Sequence, residues 1–300
     1  MRRPFSQVDV FSGEAFRGNP VAVVHDADGL SDAQMAAFAR WTNLSETTFL
    51  LAPTTPEADY RLRIFTPGGE LPFAGHPTLG SARAWLAAGG EPARAGRLVQ
   101  ECGIGLVPLR RIGEPGAGER LAFAAPGLLR SGDLDAATQD QALRSLGVSA
   151  QACRGAAWID NGPGWLGLLL DSAQTVLDLR PDFGVMGDLK VGVIGPYEGA
   201  GPAEAPADYE VRAFVPTLGV PEDPVTGSLN AGFAVWLIAA GLAPPHYTVS
   251  QGTVLQRAGR LSIDRDDEGD DDGDGAGMIW VGGQAVVRIT GTLDTDEPSG

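Results

Sequence analysis

Arg63-Ile-Phe-Thr-Pro67, then Phe73-Ala-Gly-His76, then an apolar small-residue segment ending Ala-Trp85-Leu-Ala-Ala-Gly-Gly90, is one of two stretches of this chain written to the same plan. The other runs Arg212-Ala-Phe-Val-Pro216, then Asp223-Pro-Val-Thr-Gly-Ser228, then a segment ending Val-Trp236-Leu-Ile-Ala-Ala-Gly241. Each reads as strand, turn, polar elbow and apolar helix. Repetition at so long a spacing implies two similar domains rather than a stacked solenoid. Two similar domains in turn predict a cleft, with one elbow on either side.

Both elbow helices, beginning near Thr78 and Leu229, are apolar nearly all round. A helix without a polar face is buried on every side. In halves that otherwise read as strands, a curved sheet wrapped around each helix is the simplest way to bury it. The free N–H groups of each helix start would then face outward, a favourable place for a carboxylate.

The rest of the chain extends the repeat. Val8-Asp-Val-Phe11 and Val21-Ala-Val-Val24 flank Gly18-Asn19-Pro20 and read as a hairpin. Ser31-Asp-Ala-Gln34 is a capping box opening a helix to about Trp41. Asn43–Leu50 turns β-branched and alternating and reads as a strand. Tyr60–Phe65 is another, followed by the elbow helix stopping at Gly89-Gly90 and by strands at 97–101, 105–110 and 119–123. Alternation breaks around Pro126–Gly132. This predicts an N-terminal domain over 1–127, completed by a C-terminal strand at about 284–293, and a C-terminal domain over 128–283. The second half opens with a helix over Asp133–Leu146. Ala156–Ile159, Asn161-Gly162-Pro163 and Trp165–Leu170 then echo the first hairpin. Later strands are expected near 190–194, 208–215, 247–250, 253–256, 259–264, 277–281 and 284–289.

Composition bounds the function. Three hundred residues with 43% apolar and 20% charged content describe a soluble chain with room for two cores. No run of about 18 apolar residues is present, so no membrane span is expected. The start, Met1-Arg-Arg-Pro-Phe5, has no apolar leader behind it, and a cytoplasmic protein is expected. Cys102 and Cys153 are too few for a disulfide framework or a metal site and read as buried structural thiols. The net charge of −16 disfavours nucleic acid as a partner. Much of that charge sits in residues 264–274. There, Asp270-x-Asp272-x-Asp274-Gly275 imitates the start of a calcium loop, but its twelfth position is Val281, so a solvated hairpin loop is expected.

Five ordered motifs carry a family resemblance: Gly18-Asn-Pro-Val-Ala-Val-Val24, Asn43-Leu-Ser-Glu-Thr-Thr-Phe49, Phe73-Ala-Gly-His-Pro-Thr78, Glu222-Asp-Pro-Val-Thr-Gly-Ser228 and Ser250-Gln-Gly252. With Val281-Gly-Gly-Gln-Ala285 near the end, the chain resembles the PhzF-like (phenazine-biosynthesis) isomerases along almost its whole length. The resemblance implies an α+β, diaminopimelate-epimerase-like fold. In that fold two pseudo-symmetric β-barrels each surround a central helix, and the active site lies between them. It also implies a homodimer. Racemases of that fold use one thiol at each elbow; neither elbow here contains cysteine, so two-thiol chemistry is disfavoured.

The polar positions that match the family are Glu46, His76, Asp223 and Ser228. Glu46 stands in a strand whose Leu44, Phe49 and Leu50 read as buried. Desolvation should raise its pKa, which suits a group that takes and returns a proton. His76, beside a helix start, is expected to be neutral, as a hydrogen-bond partner or proton relay. Asp223-Pro224 reads from spacing as a turn or cap; the resemblance makes Asp223 a partner for substrate or for His76. The Ser228 hydroxyl, with the N–H of Gly227, can hold a substrate carboxylate, and no Gly-x-Ser-x-Gly nucleophile elbow is present. Asn19 and Asn161 both sit in Gly/Pro turns, where turn chemistry is their ordinary role. Asn19, Ser45, Gly75 and Gly252 complete the expected substrate-binding set. The expectation is a cofactor-free, metal-free isomerase moving a proton along a small unsaturated carboxylate, similar to trans-2,3-dihydro-3-hydroxyanthranilate isomerase. A non-thiol epimerase and a catalytically silent binding protein are the alternatives.

Overall fold

The computed structural model describes residues 2–113, 116, 118–199, 201, 206–216, 221–267 and 277–295. Most of the acidic run, with its calcium-like spacing at 270–275, lies outside the described residues. The chain divides into two compact units, Met1–Phe123 with Gly283–Gly300 and Ala124–Gly282.

In the first unit, β1 (Arg2–Val10) and β2 (Asn19–Val24) form the expected hairpin. The capping box of α1 (Asp32–Thr42) is formed as read, with Ser31 Oγ accepting from Gln34 N and Gln34 Oε1 accepting from Ser31 N. Asn43 ends α1 in the left-handed conformation, so β3 (Thr47–Leu51) starts four residues later than the strand expected over 43–50. Glu46 therefore precedes the strand instead of lying in it, and Leu44 is only half-buried. β3 joins β2 in parallel, and β4 (Tyr60–Thr66) runs antiparallel to β3. Short β5 (Gly69–Leu71) folds back on the end of β4 and leads into α2 (Gly75–Ala87). β6 (Arg97–Cys102) returns parallel to the start of β4, and β7 (Gly105–Ile112) and β8 (Arg120–Ala124) follow as a meander.

The second unit contains β9 (Arg130–Asp133), which the sequence pattern did not reveal because Gly132 interrupts it, and α3 (Ala136–Leu146), capped by Asp135. β10 (Cys153–Asp160) pairs with β9 and with β11 (Trp165–Leu170). Two short helices, α4 (Ala173–Asp178) and α5 (Phe183–Met186), precede β12 (Lys190–Pro196), which runs parallel to β11. β13 (Tyr209–Phe214) is antiparallel to β12 and carries two-residue β14 (Glu222–Asp223), which leads into α6 (Gly227–Ala239). β15 (His246–Gln251) returns parallel to β13, and β16 (Gly259–Asp266) is antiparallel to β15. The strand expected over 253–256 is a 3-10 turn at Thr253–Leu255.

The two strands expected at the end are one, β17 (Met278–Asp294). Gly282-Gly283 looks like a break in sequence, but it marks a change of partner. Met278–Gly282 pairs with β16, and Ala285–Asp294 pairs with β1. β17 also bonds to β8, which closes a ring of eight strands: β1, β2, β3, β4, β6, β7, β8 and β17. The fold is thus mixed α/β, with a closed eight-stranded barrel.

Apolar packing fixes the helices. Met35 and Ala39 of α1 lie against Val24, Phe49 and Phe65. Leu143, Leu146, Val176 and Met186 cover Leu166, Leu168, Val191 and Phe214 in the second unit. α2 packs on β1 to β4, and α6 packs on β10 and β11. Gly80 in α2 and Gly232 in α6 occupy matching positions. A Cβ at either would collide with the first hairpin of its unit, at Val21 and at the Ile159 carbonyl respectively. Side-chain bulk is excluded there so that helix and strand can approach.

The repeated Arg-x-Phe has a physical role. Arg63 grips Glu70 of β5 through Nε–Oε1 (2.7 Å) and Nη2–Oε2 (2.6 Å), and lies over Phe65. Arg212 grips Glu222 of β14 in the same way, at 2.9 and 2.8 Å, and lies over Phe214. Such bidentate forks are among the stronger polar contacts. The two copies differ in burial: the Arg212 side chain is 4% exposed, whereas Arg63 at 18% shares Glu70 and Asp32, both open to solvent. Arg212 Nη1 also closes the end of α4, donating to the Val176 and Leu179 carbonyls. Arg212→Met strands a buried carboxylate and should cost about 3–5 kcal/mol in urea unfolding. Arg63→Met, in the solvated copy, should cost less than about 1 kcal/mol. Equal losses would contradict the role given to burial.

Candidate active site

The sequence-derived residues fall into two clusters, one in each unit. In the first unit, Asn19 opens β2 opposite Val10 and is fully buried. His76 is the second residue of α2, whose N-cap Ala74 offers no side-chain acceptor. Glu46 lies between the end of α1 and the start of β3. Thr42 Oγ1 and Thr47 Oγ1 meet across that turn at 2.8 Å, and Thr48 ties β3 to Ser81 of α2 at 2.8 Å.

These anchors bring three groups into line. Asn19 Nδ2 is 3.3 Å from His76 Nδ1, and His76 Nε2 is 3.3 Å from Glu46 Oε2. His76 is 3% exposed, and burial pushes its pKa down from 6.5 to about 3, although a backbone hydrogen bond with Pro20 works the other way. The imidazole is therefore neutral at pH 7, and the cause is desolvation rather than the helix start invoked from sequence. Its contact with Glu46 is a neutral ring facing a carboxyl group, not an ion pair. A ring whose Nδ1 accepts from Asn19 points an Nε2–H at a Glu46 carboxylate. The other tautomer presents a lone pair to a protonated Glu46. In either state the ring nitrogen facing Glu46 is complementary to the carboxyl group. Ser45 and Gly75 flank the pair in sequence, Ser45 half-buried and Gly75 buried.

The same elbow is held from below by residues that the sequence reading did not single out. Gln100 Nε2 donates to Thr78 Oγ1 at 3.0 Å, Thr78 Oγ1 donates to the Ala74 carbonyl at 2.9 Å, and Tyr60 OH donates to Gln100 Oε1.

In the second unit, Asp223 Oδ2 accepts from Thr226 Oγ1 at 2.5 Å. Gln251 locks this turn. Its Oε1 accepts from Thr226 N (3.0 Å) and Asn230 Nδ2 (2.9 Å), while its Nε2 reaches Thr226 Oγ1 and the Asp223 carbonyl. Gly252 has φ +90°, and a Cβ there would stand 2.6 Å from the Pro224 carbonyl oxygen. Its backbone is thus drawn against the Asp223-Pro224 turn. Gly227 and Ser228 are the first two residues of α6, with Thr226 as N-cap, so Ser228 opens the helix without capping it. Ser228 Oγ accepts from Trp165 Nε1 at 3.1 Å, and its carbonyl accepts from Asn161 Nδ2 at 2.8 Å. Asn161, read as a turn residue, is a buried clamp. Gln251 stood inside the Ser250-Gln-Gly252 motif, whereas Trp165 was hidden in an apolar run that read only as a strand.

Cys102 and Cys153 are half-buried rather than buried, lie in β6 and β10 apart from both clusters, and are pushed up in pKa by desolvation. Among the described residues, no group of three or more His, Cys, Asp or Glu side chains is arranged to hold a metal ion. No helix among them is long and apolar enough to cross a membrane.

A family model described as phenazine biosynthesis-like protein (PhzC-PhzF) matches residues 8–291. The chain belongs to the PhzF-like family. The antisense-enhancing sequence 1 protein of Schizosaccharomyces pombe is 39% identical over 300 residues, covering 96% of this chain and 97% of that protein. The trans-2,3-dihydro-3-hydroxyanthranilate isomerase of Pseudomonas aeruginosa is 34% identical over 261 residues, covering 85% of this chain and 87% of that enzyme. The crystal structure of a PhzF-family protein from Enterococcus faecalis matches with a TM-score of 0.74 at 25% identity, covering 98% of this chain and 100% of that one. Relatives across the family carry isomerase names, and this PhzF-like chain is an isomerase.

Neutral burial of His76 has a measurable consequence. The unfolded chain binds a proton at this residue below its ordinary pKa of 6.5, while the folded chain resists until about 3. Stability must therefore fall with pH across that window, by up to about 1.4 kcal/mol per unit from this group. His76→Gln removes that share. The wild-type stability relative to His76→Gln should drop by about 2 kcal/mol between about pH 7 and pH 5 in denaturant titrations. A difference that stays constant with pH would show that His76 is not held neutral.

Proposed function

We propose that this isomerase works without a cofactor, moving a proton along a small, unsaturated, carboxylate-bearing substrate. Trans-2,3-dihydro-3-hydroxyanthranilate is the first compound to test, because relatives at about 34% identity bear the name of its isomerase. The observation that carries this reading is the Glu46 carboxyl facing a buried, neutral His76 that is itself held by Asn19. Glu46 takes a proton from carbon beside a π-system and returns it at another carbon, and His76 relays or steadies that proton. Asp223 and Ser228 orient the substrate, and the Gly227 N–H with the Ser228 hydroxyl receives its carboxylate. Asn19, Ser45, Gly75 and Gly252 line the bound molecule.

Both clusters are taken to serve one reaction, in an enzyme of two pseudo-symmetric domains each built round its elbow helix. The division falls near residues 123–128 and again near 283. The order of ladders supports this duplication. In each unit a hairpin is followed by a parallel strand, an antiparallel strand with a short appended strand, a second parallel strand and a meander. A cytoplasmic homodimer fits the reading, two-fold dimers being the commonest soluble assembly.

The test is proton exchange in D2O followed by NMR, with trans-2,3-dihydro-3-hydroxyanthranilate and related unsaturated carboxylates. Deuterium should enter without stereochemical inversion, and Glu46→Gln should slow entry by about 10³-fold. Exchange undiminished in Glu46→Gln would refute the role of Glu46. Inversion would mark an epimerase, and binding without exchange would mark a silent binding protein.

A further inference from the structure

Ser228 is held by two groups that its role as a substrate contact does not by itself require. A serine hydroxyl has one proton to donate and two lone pairs. An indole N–H can only donate. Trp165 Nε1, 3.1 Å from Ser228 Oγ, therefore occupies a lone pair and leaves the hydroxyl proton to point elsewhere. Asn161 Nδ2 pins the Ser228 carbonyl at 2.8 Å, fixing the backbone that carries the hydroxyl. Both residues come from the β10–β11 hairpin, and both are at least 98% buried. The first unit offers a parallel. There the asparagine of the β1–β2 hairpin, Asn19, reaches the second residue of its own elbow helix, His76.

We infer that Trp165 and Asn161 are positioning residues that orient Ser228 so that its hydroxyl proton is free to donate to an anionic oxygen of the substrate. In each unit, then, the hairpin contacts the residue one step inside the elbow helix. It does so through the ring in one case and through the hydroxyl in the other. A hydroxyl with one lone pair taken and its proton unspent is suited to donate to a carboxylate oxygen. This rests on the proposed reading of Ser228 as a contact to substrate.

The experiment is a double-mutant cycle on binding, in protein that also carries Glu46→Gln so that turnover does not intervene. Calorimetry with trans-2,3-dihydro-3-hydroxyanthranilate gives Kd for the parent, Trp165→Phe, Ser228→Ala and the pair. Phenylalanine keeps a buried aromatic ring but removes the N–H together with part of the indole's volume. The coupling to Ser228 in the cycle, not the single-variant loss, therefore carries the test. Trp165→Phe should weaken binding by about 5–10-fold, Ser228→Ala by at least as much, and the pair no more than Ser228→Ala alone. In ¹H–¹⁵N spectra the Trp165 indole N–H should move upfield in Ser228→Ala and shift again when the parent binds the compound. This measurement stands even if Trp165→Phe does not fold. Unchanged binding in Trp165→Phe, additive losses, an indole signal indifferent to ligand, or no binding at all would each overturn the inference. Turnover by the wild-type enzyme is scored separately. Binding without turnover would defeat the isomerase mechanism and leave the positioning role intact.

Discussion

The first turn of each elbow helix is buried, and a buried helix start must have its polar groups answered from outside the helix. Neither α2 nor α6 has a side-chain cap at its N-cap residue. Each first turn is instead braced through its side chains by a glutamine on the returning strand. Gln100 grips Thr78 and Gln251 grips Asn230, and these are the fourth residues of their helices. An amide with two donors and an acceptor is well suited to this work, because it can satisfy several neighbours in a low-dielectric interior without adding charge. The second helical residues, His76 and Ser228, face other partners.

The two elbows are braced alike and yet hold different groups. Gly80 and Gly232 admit the helices equally closely to their hairpins, and both arginine forks brace the strand before the elbow. What differs is the second helical residue and its environment. His76 is neutral through burial and faces a carboxyl group, whereas Ser228 is fixed by an indole and an amide. Under the proposed mechanism, acid–base work falls to one unit and hydrogen-bond donation to the other.

Much of this was legible in the chain. The repeat of Arg63-x-Phe65 at Arg212-x-Phe214, the capping box at Ser31 and the apolar elbow helices rest on local rules of spacing, and the structure follows them. Glu46, His76 and Asn19 were also named, but not the length of the strand beside Glu46, because a left-handed Asn43 overrides the β-branched pattern after it. The strands around Gly132 and Gly282-Gly283 were misread because glycine was taken as punctuation where pairing carried the backbone through. Trp165 and Gln100 escaped notice for another reason. An indole in an apolar run and a glutamine in a strand reveal their roles only through partners 63 and 22 residues away in the chain.

The unbroken course of β17 bears on how the molecule is made. The pairing of β1 with β17 joins Arg2 to Asp294, almost the full length of the polypeptide. During synthesis the N-terminal strand must wait, its edge unfilled, until nearly every later residue has left the ribosome. The ring that holds Glu46 and His76 is begun first and finished last. Contacts of such high sequence separation fold slowly and expose strand edges while they wait. A cell making this enzyme thus has most reason to protect the half that bears Glu46 and His76.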